Sequence, residues 1–389
     1  MFRRYLNLPK EAYIATLATA VNNLGNVTAP FLTLILSVRL GFSLPLTATI
    51  LSAKTILQMV GVTLGGVYSD TFSRKTVIRL AGLIAVSTYL LMALFASNPW
   101  IVLSLLALNS LAQASLDPAL NALLMDVIPA EHQRDTSALK YFGLNLGFSV
   151  GPLLAAALYK NSLPLLFAID GLTLGIAILL SLKYIPELYR KKAEKKAKFS
   201  FNDLLENRAL VGFSLAIVLV FVVFFQYSFG LPLAVKSVLP ESGDLLYGSL
   251  MSLNAVVVVL FTFLLNHLLR RHKTKHVLVL GTLFYAFGFG IYGFADGALL
   301  FLLGTFVWTL GEILVSTAVN PMIYELTEPS KRGRASALFP LIRRVAAVIS
   351  PLAGGWALAN FGFTGLWVGC VLISLVAAIL LKNALTSCG

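Results

Sequence analysis

The chain has 389 residues, is 58% hydrophobic and only 12% charged, and carries a formal net charge of +13. A soluble domain carries about 25% charged residues, so a soluble fold is set aside. The excess of base is better explained by membrane topology than by nucleic-acid binding.

Apolar runs close to the ~20 residues needed to cross a bilayer predict helices over 12–38, 46–69, 76–96, 99–126, 136–159, 163–186, 209–235, 245–268, 276–295, 298–326, 335–361 and 363–384. In hydrocarbon each helix satisfies its own backbone, and the runs are too long and too uniformly apolar to be barrel strands. The first run follows MFRRYLNLPKEAY. It is too long for a signal h-region and lacks a small-residue cleavage site, so it is read as the first span. One face of the twelve spans receives Arg3, Arg4, Lys10, Arg74, Lys75, Arg79, Arg134, Lys183, Arg190 to Lys198, Arg208, Arg270 to Lys275, Lys331, Arg332, Arg334 and Lys382. The other receives Arg39, Lys160 and Lys236. The positive-inside rule then puts both termini in the cytoplasm of a multi-pass plasma (inner) membrane protein. Short loops and compact termini point to a bacterial chain.

The longest hydrophilic stretch, 187–208, splits the spans six and six. It is expected to be a basic cytoplasmic linker between bundles 1–186 and 209–389, lying free or against anionic lipid. The halves echo each other at an offset of 199. Asn121 aligns with Asn320, Asp126 with Glu325, Ser137-Ala138-Leu139 with Ser336-Ala337-Leu338, and Pro152 with Pro351. Two six-helix bundles in one orientation imply pseudo-two-fold symmetry about the membrane normal, with substrate handled near the midplane by alternating access.

The loop after the second span reads Gly66-Val67-Tyr68-Ser69-Asp70-Thr71-Phe72-Ser73-Arg74-Lys75. It resembles the G-x-x-x-D-R-x-G-R-K loop of the major facilitator superfamily, with Thr71 and Ser73 in place of the usual Arg and Gly. The resemblance implies a cytoplasmic latch at Gly66, Asp70, Arg74 and Lys75, with Asp126 and Arg134 as partners of Asp70. In the fifth span Gly143, Gly147, Gly151 and Pro152 are similar to the G-x-x-x-G-P signature of the drug–proton antiporter branch, although Ala155-Ala156 replaces its trailing glycines. Glycines at this spacing allow close helix approach. Pro351-Leu352-Ala353-Gly354-Gly355 is a comparable element in the eleventh span. The tenth span, Trp308-Thr309-Leu310-Gly311-Glu312-Ile313, looks like multidrug exporters of the lactococcal LmrP and enterobacterial MdtH type, whose acid in this helix takes part in coupling. The arginine that many drug antiporters carry in their fourth helix is missing from Asn109-Ser110-Leu111-Ala112-Gln113.

Ionisable residues inside spans are functional candidates by default. They are Lys54, Asp117, Lys140, Asp170, Glu312, Arg343 and Arg344. Glu312 lies ~20 Å from the cytoplasmic end of its helix, and Arg343 and Arg344 lie at ~14–15 Å in theirs. An ion pair between the tenth and eleventh spans is therefore expected, either a switch thrown by protons or cationic ligands or a structural pair. One arginine is expected to face the cavity and the other to pack or snorkel. Asp117 precedes Pro118, and Lys140 on the glycine stripe is placed to approach Asp117 or Asp126. Lys54 is a candidate for the outer vestibule, and Asp170 is expected to be structural. Asn22, Asn23, Asn26, Gln113, Gln226 and Tyr227 are candidate polar groups of the cavity, with Phe224 and Phe225 as an aromatic wall.

These features predict an all-α secondary active transporter of twelve spans. The resemblance implies proton-coupled export of amphiphilic or lipophilic small molecules (multidrug efflux). Competing readings are a carrier of an anionic metabolite, siderophore or peptide, and a lipid or lipid-linked flippase. The expected partners are a small-molecule substrate, protons and membrane lipid, with no nucleic acid, cofactor or metal, and the chain is expected to be monomeric and not an enzyme. It has no phosphate-binding loop, nucleophile constellation or metal cluster.

Overall fold

The computed structural model describes residues 3–188, 207–329, 332–335 and 338–384. Most of the predicted linker, and Cys388, lie outside these residues. Among the described residues the secondary structure is helical throughout, and eleven helices are long and apolar enough to cross a membrane.

After a single turn at Arg3–Leu6, the first unit is built from α1 (Lys10–Leu24), α2 (Thr28–Leu34, continued by a π-turn over Ile35–Arg39), α3 (Leu44–Thr71), α4 (Arg74–Leu94), α5 (Pro99–Val127), α6 (Ala130–Asn161) and α7 (Leu163–Tyr184). The second contains α8 (Arg208–Phe224, with a 3₁₀ turn at Phe225–Tyr227), α9 (Gly230–Val238), α10 (Gly243–Leu269), α11 (Thr274–Ile291), α12 (Ala298–Glu325) and α13 (Leu338–Ala384). By contacts, the units are Met1–Phe42 with Ala53–Ala193, and Ser43–Ser52 with Glu194–Gly389. The second unit thus takes the start of α3, where Ser52 Oγ donates to the Val348 carbonyl at 2.6 Å.

Helix starts follow local chemistry. An N-terminus has amides without intrahelical partners, and a short polar side chain just before it supplies an acceptor. Ser73 Oγ accepts from the Thr76 amide, Asn98 Oδ1 from Trp100 and Ile101, Ser162 Oγ from Leu165, and Asn207 Oδ1 from Leu210. Proline follows Asn98 and lies in the first turn after Ser162, where its missing amide costs nothing.

Two predicted spans are broken where continuous helices are expected. The first divides at Gly25, and the amides of Val27 and Thr28 at the new helix start donate to Asp170 Oδ1 and Oδ2, each at 3.0 Å. Buried Asp170 is thus an N-cap supplied by α7 in place of a local one. Asp170→Ala is expected to destabilise the first unit by roughly 2–3 kcal/mol, since it removes two charge-assisted hydrogen bonds; thermal unfolding in detergent would measure this. The seventh span is broken at Phe225–Tyr227. At the C-terminal end, α13 is two helical limbs joined at a kink. It is interrupted at Gly362, whose φ of 66° is a left-handed conformation that glycine adopts without strain. The predicted twelve spans require its two limbs to cross separately.

Small residues set the helix spacing. A Cβ on Gly61 or Gly65 would lie 2.3 or 2.2 Å from the carbonyls of Leu111 and Ser115, so α3 and α5 touch backbone to backbone. Gly281 and Gly288 of α11 meet Gly311 and Gly304 of α12 in the same way. Meanwhile Leu83, Leu179, Phe263 and Phe287 are 67–71% exposed in mid-helix. Water would penalise that exterior, whereas hydrocarbon accepts it.

Candidate functional site

The residues expected to latch the cytoplasmic end divide differently from the resemblance. Asp126, at the end of α5, is held by Arg74 at the start of α4, with Nε–Oδ2 at 2.6 Å and Nη2–Oδ1 at 3.4 Å. Asp70 and Arg134 are both exposed, and Gly66 has open space around it. Lys75 Nζ donates to the Leu182 carbonyl, and Glu187 accepts from Ser73 Oγ and the Lys75 amide. Glu325, which aligns with Asp126 at the offset of 199, accepts from Thr274 Oγ1 at the start of α11.

In the first unit the stripe of Gly143, Gly147 and Gly151 lies against Thr16, Asn23 and Leu24 of α1. Buried Pro152 follows it. Lys140 Nζ donates to Asn121 Oδ1, and Asp126 is occupied by Arg74. Asp117 is exposed on α5, and Lys54, Asn22 and Asn26 are half-buried. Asn23 bonds back to the Thr19 carbonyl. Where many antiporters have arginine, Asn109 donates to the Ala85 carbonyl and to Thr88 Oγ1, tying α5 to α4.

Of the three basic residues expected on the outer face, two are held in place. Arg39 donates to the carbonyls of Tyr159 and Lys160 at the end of α6, where the helix dipole favours a cation. Lys236 pairs with Asp244 at 2.8 Å.

The densest chemistry lies in the second unit, around Glu312 at the middle of α12. Glu312 Oε2 accepts from Asn254 Nδ2 of α10 at 2.7 Å, and the same amide reaches Thr309 Oγ1 at 3.1 Å. The expected Glu312–Arg343 ion pair does not form: Glu312 is in no ion pair with a described residue. The Arg343 guanidinium instead sits over four phenylalanines, 5.0 Å from the Phe221 centroid, 5.7 Å from Phe224, 5.9 Å from Phe225 and 5.8 Å from Phe339. Ring faces attract a guanidinium, so the phenylalanines hold it where the carboxylate was expected to. The charges of Glu312 and Arg343 still act on each other through space, and both act on Tyr227 and Tyr285. Arg344 is half-buried beside Arg343 in sequence.

An aromatic floor adjoins this cluster. Tyr227 stacks on Trp308 at 6.0 Å and 25°, and Trp308 stacks on Phe289 at 5.7 Å and 20°. Trp308 Nε1 donates to the Tyr292 hydroxyl at 2.7 Å, which in turn contacts Thr305 Oγ1. Gln226, expected to line a cavity, is 2% exposed and committed to structure. Its Nε2 donates to the carbonyl and hydroxyl of Ser350, whose Oγ donates to the Val222 carbonyl, so it ties α13 to the end of α8. The amide that meets Glu312 is Asn254, which the sequence reading did not single out. Its only signal was an amide in the middle of an otherwise apolar span.

The chain is 25% identical over 352 residues to the MFS-type transporter YqjV of Bacillus subtilis (strain 168), covering 87% of this chain and 83% of that protein. It is 24% identical over 378 residues to a Na(+), Li(+), K(+)/H(+) antiporter of Planococcus maritimus, covering 84% and 88%. Over 107 residues, or 28% of this chain and 27% of the relative, it is 30% identical to the multidrug resistance protein MdtH of Proteus mirabilis (strain HI4320). The fold is similar to the crystal structure of a peptide transporter POT in complex with sulfate, with a TM-score of 0.80 at 16% identity, covering 97% of this chain and 94% of that one. The nucleoside transporter NupG gives 0.75 at 16% identity, covering 97% and 99%. The sequence pattern of the Major Facilitator Superfamily matches residues 14–311 and, a second time, 240–385, and the chain is a member of that family of membrane transporters.

Proposed function

We propose that this transporter is proton-coupled, and that Glu312 is the group that takes up and releases the coupled proton. Its cargo in this reading is an amphiphilic or lipophilic small molecule moved by alternating access, with the two limbs of α13 counted as separate spans and both termini cytoplasmic. The observation that carries the reading is the placement of Glu312. A carboxylate at mid-helix, held by one neutral amide and no ion pair with a described residue, can change protonation without breaking a salt bridge. The aromatic residues around it suit an apolar cargo body. Export as multidrug efflux in exchange for protons is the direction favoured by the antiporter-like stripe on α6 and the short MdtH likeness.

The antiporter from Planococcus maritimus, alike over most of both chains, favours a second reading: exchange of monovalent metal cations at the same carboxylate. Purified protein in liposomes containing a pH dye separates the two. Proton movement evoked by amphiphilic organic ions and not by sodium, lithium or potassium salts is the expected result. The reverse would establish the second reading, and no proton movement with any of them would sink proton coupling.

A further inference from the structure

The Arg343 guanidinium is charged at every physiological pH and presents five N–H donors in a fixed fork. None of those donors is accepted by a described residue. Four phenylalanine rings lie 5.0–5.9 Å from its centre, and aromatic rings accept none of its N–H groups in the plane of the fork. In the same cluster the Tyr285 hydroxyl is fully buried and finds no hydrogen-bond partner among the described residues. Buried polar groups are normally satisfied. A half-buried unused fork beside an orphaned hydroxyl is therefore a donor set awaiting an acceptor, in surroundings rich in aromatic surface.

We propose that Arg343 selects the substrate by charge, so that the amphiphile this transporter carries has an anionic head, a carboxylate or sulfonate bound by the guanidinium fork, and an apolar body laid on the phenylalanine rings. The proposal rests on the reading of Glu312 as the proton-carrying group and adds the substrate class. Charge counting decides against a cationic cargo. With Glu312 ionised the Glu312–Arg343 pair is neutral. An anion entering with a proton on Glu312 keeps the site neutral, whereas an organic cation leaves it with a net positive charge in a medium that penalises charge strongly. The anion and the proton therefore bind together and move in the same direction, so Glu312 remains the proton carrier and proton-driven uptake replaces export in exchange for protons. The groups acting on Glu312 are Arg343 from α13 and the uncharged Asn254 from α10, and Glu312 in turn acts on Tyr227 from the turn after α8 and Tyr285 from α11. Among them only Arg343 carries a charge at neutral pH.

The test uses the full chain in nanodiscs and two permanently charged probes with the same ring system, naphthalene-2-sulfonate and a naphthyl-trimethylammonium ion. Binding is measured on either side of neutral pH. The wild type is expected to prefer the sulfonate by at least about tenfold, or ~1.4 kcal/mol, and more strongly at the acidic value. Arg343→Gln is expected to remove that preference. Arg343→Lys is expected to restore only part of it, because an ammonium lacks the fork; it also serves as the control for misfolding. A preference for the ammonium probe, an anion preference that survives in Arg343→Gln, or no binding of either probe would each overturn the proposal. Glu312→Gln is expected to bind the sulfonate with no pH dependence. If the pH dependence persists in Glu312→Gln while Arg343→Gln still abolishes the preference, the assignment of Glu312 falls and that of Arg343 stands.

Discussion

Glu312→Gln is expected to leave a folded protein that still exchanges substrate for substrate across a liposome membrane but no longer accumulates it against a pH gradient. The amide keeps the volume of the side chain and an oxygen for Asn254 Nδ2, so packing around α12 is preserved. The proton-binding site is removed. Gradient-driven accumulation should fall at least about tenfold, equivalent to ~1.4 kcal/mol of lost coupling, while counterflow at equal pH should stay within a factor of about two. Loss of both activities with an unchanged unfolding temperature would instead make Glu312 a direct substrate ligand. Full accumulation by Glu312→Gln would remove it from the coupling mechanism altogether.

Gly147→Val is expected to destabilise the first unit by forcing α1 and α6 apart. A Cβ at Gly147 would lie 2.7 Å from the Leu24 amide nitrogen and 2.7 Å from the Asn23 Cβ, and backbone cannot swing aside as a side-chain tip can. Gly143 and Gly151 flank it with Cβ distances of 2.8 and 3.0 Å to the carbonyls of Thr16 and Asn23. The clash must therefore push α1 away from α6 along the whole stripe. Overpacking of this kind costs about 1–3 kcal/mol, and the displaced α1 would also disturb the Val27 and Thr28 amides held by Asp170. A drop of several degrees in unfolding temperature is expected. Gly66→Ala is the control, because a Cβ there meets nothing within 4 Å and alanine favours the helix. Equal unfolding temperatures for Gly147→Val and the wild type would mean that the stripe does not set the α1–α6 distance.

Individual residues were legible in the sequence to different degrees. Glu312 stood out because an ionised group in hydrocarbon needs a reason. Its partner did not, because Asn254 is one neutral amide among apolar neighbours, and only the approach of α10 to α12 brings the two together. Arg343 was visible as a charge at depth, but the expectation of an ion pair rested on matched depths along two helices. Depth says nothing about rotation, and the rotation of α13 turns the guanidinium onto Phe221, Phe224, Phe225 and Phe339. Those phenylalanines read as an undirected wall for the same reason. Gln226 was misplaced because a single polar residue beside aromatics suits a cavity wall or a buried tie equally well, and the close approach of Gly354 makes it the tie. The breaks of the first span at Gly25 and of the seventh at Phe225–Tyr227 were masked by uniform hydropathy.

By itself the sequence determined that this is a helical membrane protein and where most of its apolar helices lie, because those properties follow from length, apolarity and capping groups along the chain. It also determined which ionisable residues must be explained. The tertiary structure decided which of them meet. Asp126 went to Arg74, Asp170 to the amides of a broken helix, Glu312 to Asn254 and Arg343 to a cage of rings. Each of these choices depends on helix rotation and spacing, set by backbone contacts at glycines distant in sequence, and the local pattern of a span does not encode them.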